Sequence, residues 1–147
     1  MYRHTQSGRL MVLSSLGMFA CALAAGALTP RSFAFYPLAL AAAFIYFGFR
    51  ELTVEVDHEE IRLTFGAGWF KKAFPLSGVE SAAAVRNSWW NGWGVKYNGR
   101  YWLYNVDGFD AVELRFRDGR AARIGTDEPA ALEAAIRARL AKARPLN

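Results

Sequence analysis

Glu51-Leu52-Thr53-Val54-Glu55-Val56-Asp57-His58-Glu59-Glu60-Ile61-Arg62-Leu63-Thr64-Phe65 is where the chain changes character. Leu52, Val54 and Val56 alternate with Thr53, Glu55 and Asp57, and Ile61, Leu63 and Phe65 alternate with Glu60, Arg62 and Thr64. A period of two marks strands that bury one face. With Asp57–Glu60 as a four-residue loop, Val56 faces Ile61, Glu55 faces Arg62, and Val54 faces Leu63. Apolar then meets apolar and the charged pair has opposite signs, so pairing and burial agree on one register.

Upstream the pattern is different. Leu10–Leu28 and Phe33–Phe49 are uncharged apolar runs separated by Thr29-Pro30-Arg31-Ser32, which breaks a helix. As helices they reach about 28 Å and about 25 Å, close to the hydrocarbon thickness of a bilayer. Small residues (Gly17, Gly26, and Ala20, Ala22, Ala24, Ala25, Ala41, Ala42 and Ala43) suit close helix packing in lipid. Tyr36 and Tyr46 lie near the ends of the second run, where amphipathic rings favour the interface. The expectation is a cytoplasmic segment over 1–9, then a transmembrane hairpin over 10–50 with spans 10–28 and 33–49. A cleaved leader ending at Ala25-Gly26-Ala27 is the rival reading, but the first run exceeds the usual leader core and a second run follows at once. Arg3, Arg9 and Arg50 mark the side shared by both termini as cytoplasmic by the positive-inside rule, hence a multi-pass protein of the inner membrane.

Charge follows the same division. Of 18 basic residues, Arg3, Arg9, Arg31 and Arg50 precede Glu51, whereas all 13 acidic residues lie from Glu51 onward. The net +5 therefore belongs mostly to the first fifty residues, and the remainder lacks the basic funnel that nucleic-acid binding requires. A single cysteine, Cys21, excludes an internal disulfide and a cysteine zinc cage.

Downstream, Gly66-Ala67-Gly68 reads as a turn, Trp69–Phe74 as a strand and Pro75–Gly78 as a break. Val79–Arg86 and Trp93–Tyr97 follow as strands, with Tyr101–Tyr104 as an extension. At the last hairpin, a three-residue loop Arg117-Asp118-Gly119 pairs Val112 with Ile124, Glu113 with Arg123 and Leu114 with Ala122; a two-residue loop would set Glu113 against Ile124. Thr126 or Asp127 then caps a helix over 127–143 with Glu128 and Pro129 in its first turn and Leu132, Ile136 and Leu140 as its apolar stripe. The residues from 51 to 147 thus read as about seven antiparallel strands, in a sandwich or barrel, capped by a C-terminal helix.

Trp102–Val106, Ala111–Leu114 and Ile124–Pro129, in that strand–helix order after two apolar runs, resemble small bacterial membrane proteins with a pleckstrin-homology-like (PH-like) domain. The resemblance implies a membrane-tethered, non-enzymatic module for interaction or scaffolding, held in the bilayer by its two spans. Some relatives bind phosphoinositides through a basic first hairpin. Here that loop is acidic (Asp57-His58-Glu59-Glu60), so the activity is not carried over.

No nucleophile elbow, His-Glu-x-x-His, P-loop or dinucleotide fingerprint occurs, so neither a catalytic residue nor a cofactor is expected. Three tryptophans crowd into Trp89-Trp90-Asn91-Gly92-Trp93, followed by Lys96, Arg100 and Trp102. These rings either fold back with their indole N–H groups on nearby carbonyls, lie at the membrane interface, or dock a protein partner, since Trp and Arg dominate interface hot spots. Lys71 and Lys72, with Arg137, Arg139, Lys142 and Arg144, are candidate contacts for anionic headgroups.

Overall fold

The computed structural model describes residues 1–29, 33 and 35–143. Pro30, Arg31 and Ser32, most of the interhelical break, lie outside them, as does Arg144.

The alternation beginning at Glu51 forms β2 (Glu51–Val56) and β3 (Glu60–Phe65), paired Val56 to Ile61, Glu55 to Arg62 and Val54 to Leu63 as expected. Asp57 Oδ1 closes the loop by accepting the N–H groups of Glu59 (2.8 Å) and Glu60 (2.9 Å). Those bonds hold the Asp57 carboxyl below its ordinary range. β4 (Phe70–Pro75) follows the glycine-rich turn and pairs with β3.

The first nine residues are not a separate segment. Tyr2–Ser7 form strand β1, antiparallel to β2 from Tyr2 opposite Val56 to Ser7 opposite Glu51. Side chains fasten it as well: Thr5 bonds Thr53 (2.8 Å), and Arg3 reaches Glu55 (3.2 Å). His4 sets Nε2 2.6 Å from Asp127 and Nδ1 3.4 Å from Glu128. Burial, then the negative charges of Glu128 and Asp127, push the neighbouring Tyr2 phenol up to about 12. The four strands form one sheet in the order β1-β2-β3-β4.

Between β1 and β2 stand helices α1 (Arg9–Leu28) and α2 (Phe35–Phe49), so they are an insertion within a β-hairpin. At the neck, Gly8 N–H donates to Arg50 C=O (2.7 Å) and the α1 N-terminus meets the Asp107 carboxylate through Arg9 N–H (3.2 Å), the sign a helix dipole favours. The helices pack along small residues: Ser15, Ala22 and Ala42 are buried, while Leu13, Leu16, Phe19, Leu23, Leu40 and Phe44 are exposed. α1 is long and apolar enough to cross a membrane. The second run corrects the expected span 33–49: its helix begins only at Phe35 and has 15 residues, about 22 Å at 1.5 Å per residue, short of the roughly 30 Å hydrocarbon core.

The second sheet has the order β5-β8-β9-β7-β6, from β5 (Val79–Arg86), β6 (Gly94–Tyr97), β7 (Trp102–Asn105), β8 (Asp110–Phe116) and β9 (Ala121–Gly125). The last hairpin takes the three-residue loop, pairing Val112 with Ile124, Glu113 with Arg123 and Leu114 with Ala122, with Gly119 at φ 84°. Two expectations change. Tyr101–Tyr104 is not an extension, because Asn98-Gly99 turns the chain and β7 runs back antiparallel to β6. β7 also lies parallel to β9, so the strands are not all antiparallel; from Glu51 onward there are eight, against about seven expected, and β1 makes nine among the described residues. The two sheets remain separate, which makes a sandwich and not a closed barrel.

Leu52, Val54, Val56, Ile61, Leu63 and Phe65 of the first sheet face Val79, Ala82, Tyr104, Val112, Leu114 and Ile124 of the second in one core. α3 (Pro129–Ala143) starts at Pro129, two residues later than expected, after Thr126 Oγ1 accepts Glu128 N–H (3.1 Å). Its Leu132 and Ile136 are fully buried and Leu140 packs beside them. β5 is an edge strand, and α3 stands in for its missing neighbour. Glu133 accepts Ala84 N–H (2.9 Å), Arg137 donates to Ala82 C=O (3.1 Å), and the two side chains pair at 2.8 Å.

Candidate functional site

Beyond β5 the chain must turn from the end of one edge strand to the start of the other, and the residues from Asn87 to Trp93 do this over the second sheet. Ser88 stays extended; Asn91 N–H then donates to Ser88 C=O (3.0 Å) and Gly92 N–H to Trp89 C=O (3.1 Å), winding a single 3-10 turn over Trp89–Asn91. Three side chains pin this turn. Asn91 donates to the Tyr101 hydroxyl (2.8 Å), the Trp93 indole N–H donates to Gly108 C=O (3.0 Å), and Asn87 accepts from Arg123 (3.1 Å).

Arg123 is the hub beneath. It pairs with Glu113 at 2.8 Å, donates to Tyr101 Oη at 3.0 Å, and its guanidinium carbon lies 4.0 Å from the Tyr101 ring centroid. Burial pushes the Glu113 carboxyl up, but hydrogen bonds and charge from Arg123 and Arg115 outweigh it, leaving Glu113 below the usual carboxylate range.

Pinning decides which rings are free. Trp93 is half-buried beside Phe109, as the fold-back reading expects. Trp89 and Trp90 do the opposite: they are 61% and 76% exposed and stack on each other with centroids 3.8 Å apart at 27°. Lys96 is half-buried with its ammonium close to Gly92. Arg100 and Trp102 lie at the far end of the β6–β7 hairpin, both exposed, with Trp102 against Tyr97 (5.6 Å). The six residues therefore divide into a free pair, an anchor with a neighbouring cation, and a separate hairpin tip.

The cationic candidates do not form one patch. Lys71 and Lys72 are exposed on β4, on alternate faces of the strand, and Lys72 lies 5.8 Å from the Phe74 ring. Arg137 is committed to Glu133 and β5, and Arg139 Nη1 lies 3.0 Å from His58 Nδ1. Arg137 and Lys142 are exposed, and Lys142 stands at the described end of the run. The acidic loop carries its own counterion, since Arg62 pairs with Glu60, Glu55 (3.5 Å) and Asp57 (3.7 Å). Among the described residues, no three His, Cys, Asp or Glu side chains converge as a metal site requires.

Sequence reasoning passed over Trp69. It is 61% exposed, and its ring lies 6.2 Å from both Phe44 and Phe47 of α2, stacked at 22° on Phe47. Its signal was available only as a large aromatic directly after a glycine turn. The chain matches no protein-family model and no curated protein.

Proposed function

We propose that this protein is a membrane-tethered, non-catalytic interaction module. In this reading α1 and α2 enter the bilayer together as a two-span hairpin, and a PH-like sandwich presents Trp89 and Trp90 to a protein partner at the cytoplasmic face. The observation that carries the interaction reading is the stacked, exposed Trp89–Trp90 pair on a turn pinned by Asn87, Asn91 and Trp93. Large rigid rings held in solvent lose little freedom on docking, which is what an interface anchor needs.

Parity supports the tether. β1 and β2 belong to one sheet, so the chain leaves the domain and returns to it, and any crossing by α1 is answered by a return through α2. The shortness of α2 is met by local thinning of the bilayer. Arg9 and Arg50 lie at the domain end of the helices and Arg3 on β1 of the domain itself, the side that the positive-inside rule associates with the cytoplasm. Two sheets followed by a packed C-terminal helix are compatible with the PH-like resemblance.

The test is in-cell photocrosslinking of the full chain with a diazirine side chain at position 90. A discrete protein adduct is expected, abolished by Trp89→Ala while the chain stays at normal level in the membrane fraction. Adducts to lipid alone, or an adduct indifferent to Trp89→Ala, overturn the docking reading.

A further inference from the structure

The turn between β3 and β4 is seated on the end of α2. Gly66 N–H donates to Glu51 C=O (2.9 Å), and a Cβ at Gly66 would stand 2.0 Å from Phe47 C=O. With φ at 54° as well, this position admits glycine alone, and the turn is pressed onto the helix at Phe47–Gly48. Trp69 then covers Phe47 and Phe44, both exposed residues of the last turns of α2. Phe47 is two residues, about 3 Å of rise, from the last helical residue. Trp69 therefore shares the depth of the helix end.

We propose that the β3–β4 turn is a second point of contact with the bilayer, with Trp69 seated at the boundary between headgroups and acyl chains beside α2. This rests on the reading of α1 and α2 as a membrane hairpin. An indole prefers that boundary because its ring is apolar and its N–H remains wet. Beside it, the Lys71 side chain folds back towards Gly68 of the same turn, placing an exposed cation where phospholipid phosphates lie. The seated turn holds the sandwich against the end of α2, but the two helices alone do not set its tilt against the bilayer. A second contact through Trp69 fixes one orientation, and with it the direction in which Trp89 and Trp90 point.

The experiment uses the full chain in liposomes containing lipids brominated near the top of the acyl chains, which quench tryptophan at that depth. Five tryptophans emit, and each is replaced singly by Phe, a change that keeps an aromatic ring at the site. Trp69→Phe is expected to remove the largest part of the quenchable emission, whereas Trp89→Phe and Trp90→Phe leave it in place. Quenching that is undiminished in Trp69→Phe overturns the inference. Cys21, the single cysteine, lies exposed on α1 and reports the tether independently. Its protection from a membrane-impermeant maleimide until detergent denaturation shows the helices in lipid, so an unquenched Trp69 then counts against the turn contact alone. Ready labelling of Cys21 in intact liposomes overturns the tether and the turn contact together.

Discussion

α1 and α3 are both apolar enough to form helices with one buried side, yet they dispose of their large residues in opposite ways. α3 puts Leu132 and Ile136 at 0% exposure and turns Glu133 and Arg137 onto the edge of β5. α1 buries only Ser15 and Ala22, and leaves Leu13, Leu16, Phe19 and Leu23 outward. A helix that buries its small residues and displays its large ones is packed for a neighbouring helix and an apolar surround. One that buries Leu and Ile beneath a charged face is packed for water. The contrast separates a helix that closes the core from one that is long and apolar enough to cross a membrane.

The contrast breaks most directly by truncation. Ile136→Ala should lower the unfolding free energy of the full chain by about 2–5 kcal/mol, as a cavity in a packed core does. Leu16→Ala on α1 should change it by less than about 0.5 kcal/mol. Chemical denaturation in mild detergent measures both, and equal losses would place α1 inside the water-soluble core. A charge sharpens the same point from the other side. Phe19→Arg at the middle of α1 should cost about 2.5–3.5 kcal/mol on insertion and shift the chain out of the membrane fraction. An unchanged distribution on flotation would contradict a lipid surround.

Smaller effects probe how α3 serves as a surrogate strand. Glu133→Ala leaves Ala84 N–H without its acceptor and should cost about 1 kcal/mol. Adding Arg137→Ala should cost less than the sum of the single changes, because the two side chains share one network. Strict additivity would show that they act separately.

The smallest effect is acidic. Glu113 titrates below its ordinary value of 4.5 in the folded protein. Its contribution is therefore complete above that value and is lost as pH falls through the lower folded-state value. The stability advantage of wild type over Glu113→Gln should shrink below about pH 4.5. A gap that widens on acidification would mean that burial, not Arg123 and Arg115, governs this carboxyl.

Local pattern sufficed where two constraints coincided. At β2–β3 and β8–β9, burial and cross-strand charge demand the same register, and both hairpins pair as the residues indicate. It failed at β1, where Tyr2, His4 and Gln6 are the inward residues of a six-residue strand. Their polarity hides the period, and their partners (Val54, Asp127 and Glu128 for His4, the Asp107 carbonyl for Gln6) are distant in sequence. The tryptophan turn was legible as unusual, but the division between an anchored Trp93 and a free Trp89–Trp90 pair depends on Gly108 C=O and the Tyr101 hydroxyl standing where they do.

Taken by itself, the sequence determined the apolar helices, the two best-paired hairpins and the buried stripe of α3, because each follows from periodicity and charge within about twenty neighbouring residues. Tertiary structure alone decided that the N-terminus completes a sheet, that β7 and β9 run parallel, and that Trp69 rests on α2. Those outcomes turn on the free edge or surface that a distant segment offers, and such an offer exists only once the chain has closed on itself.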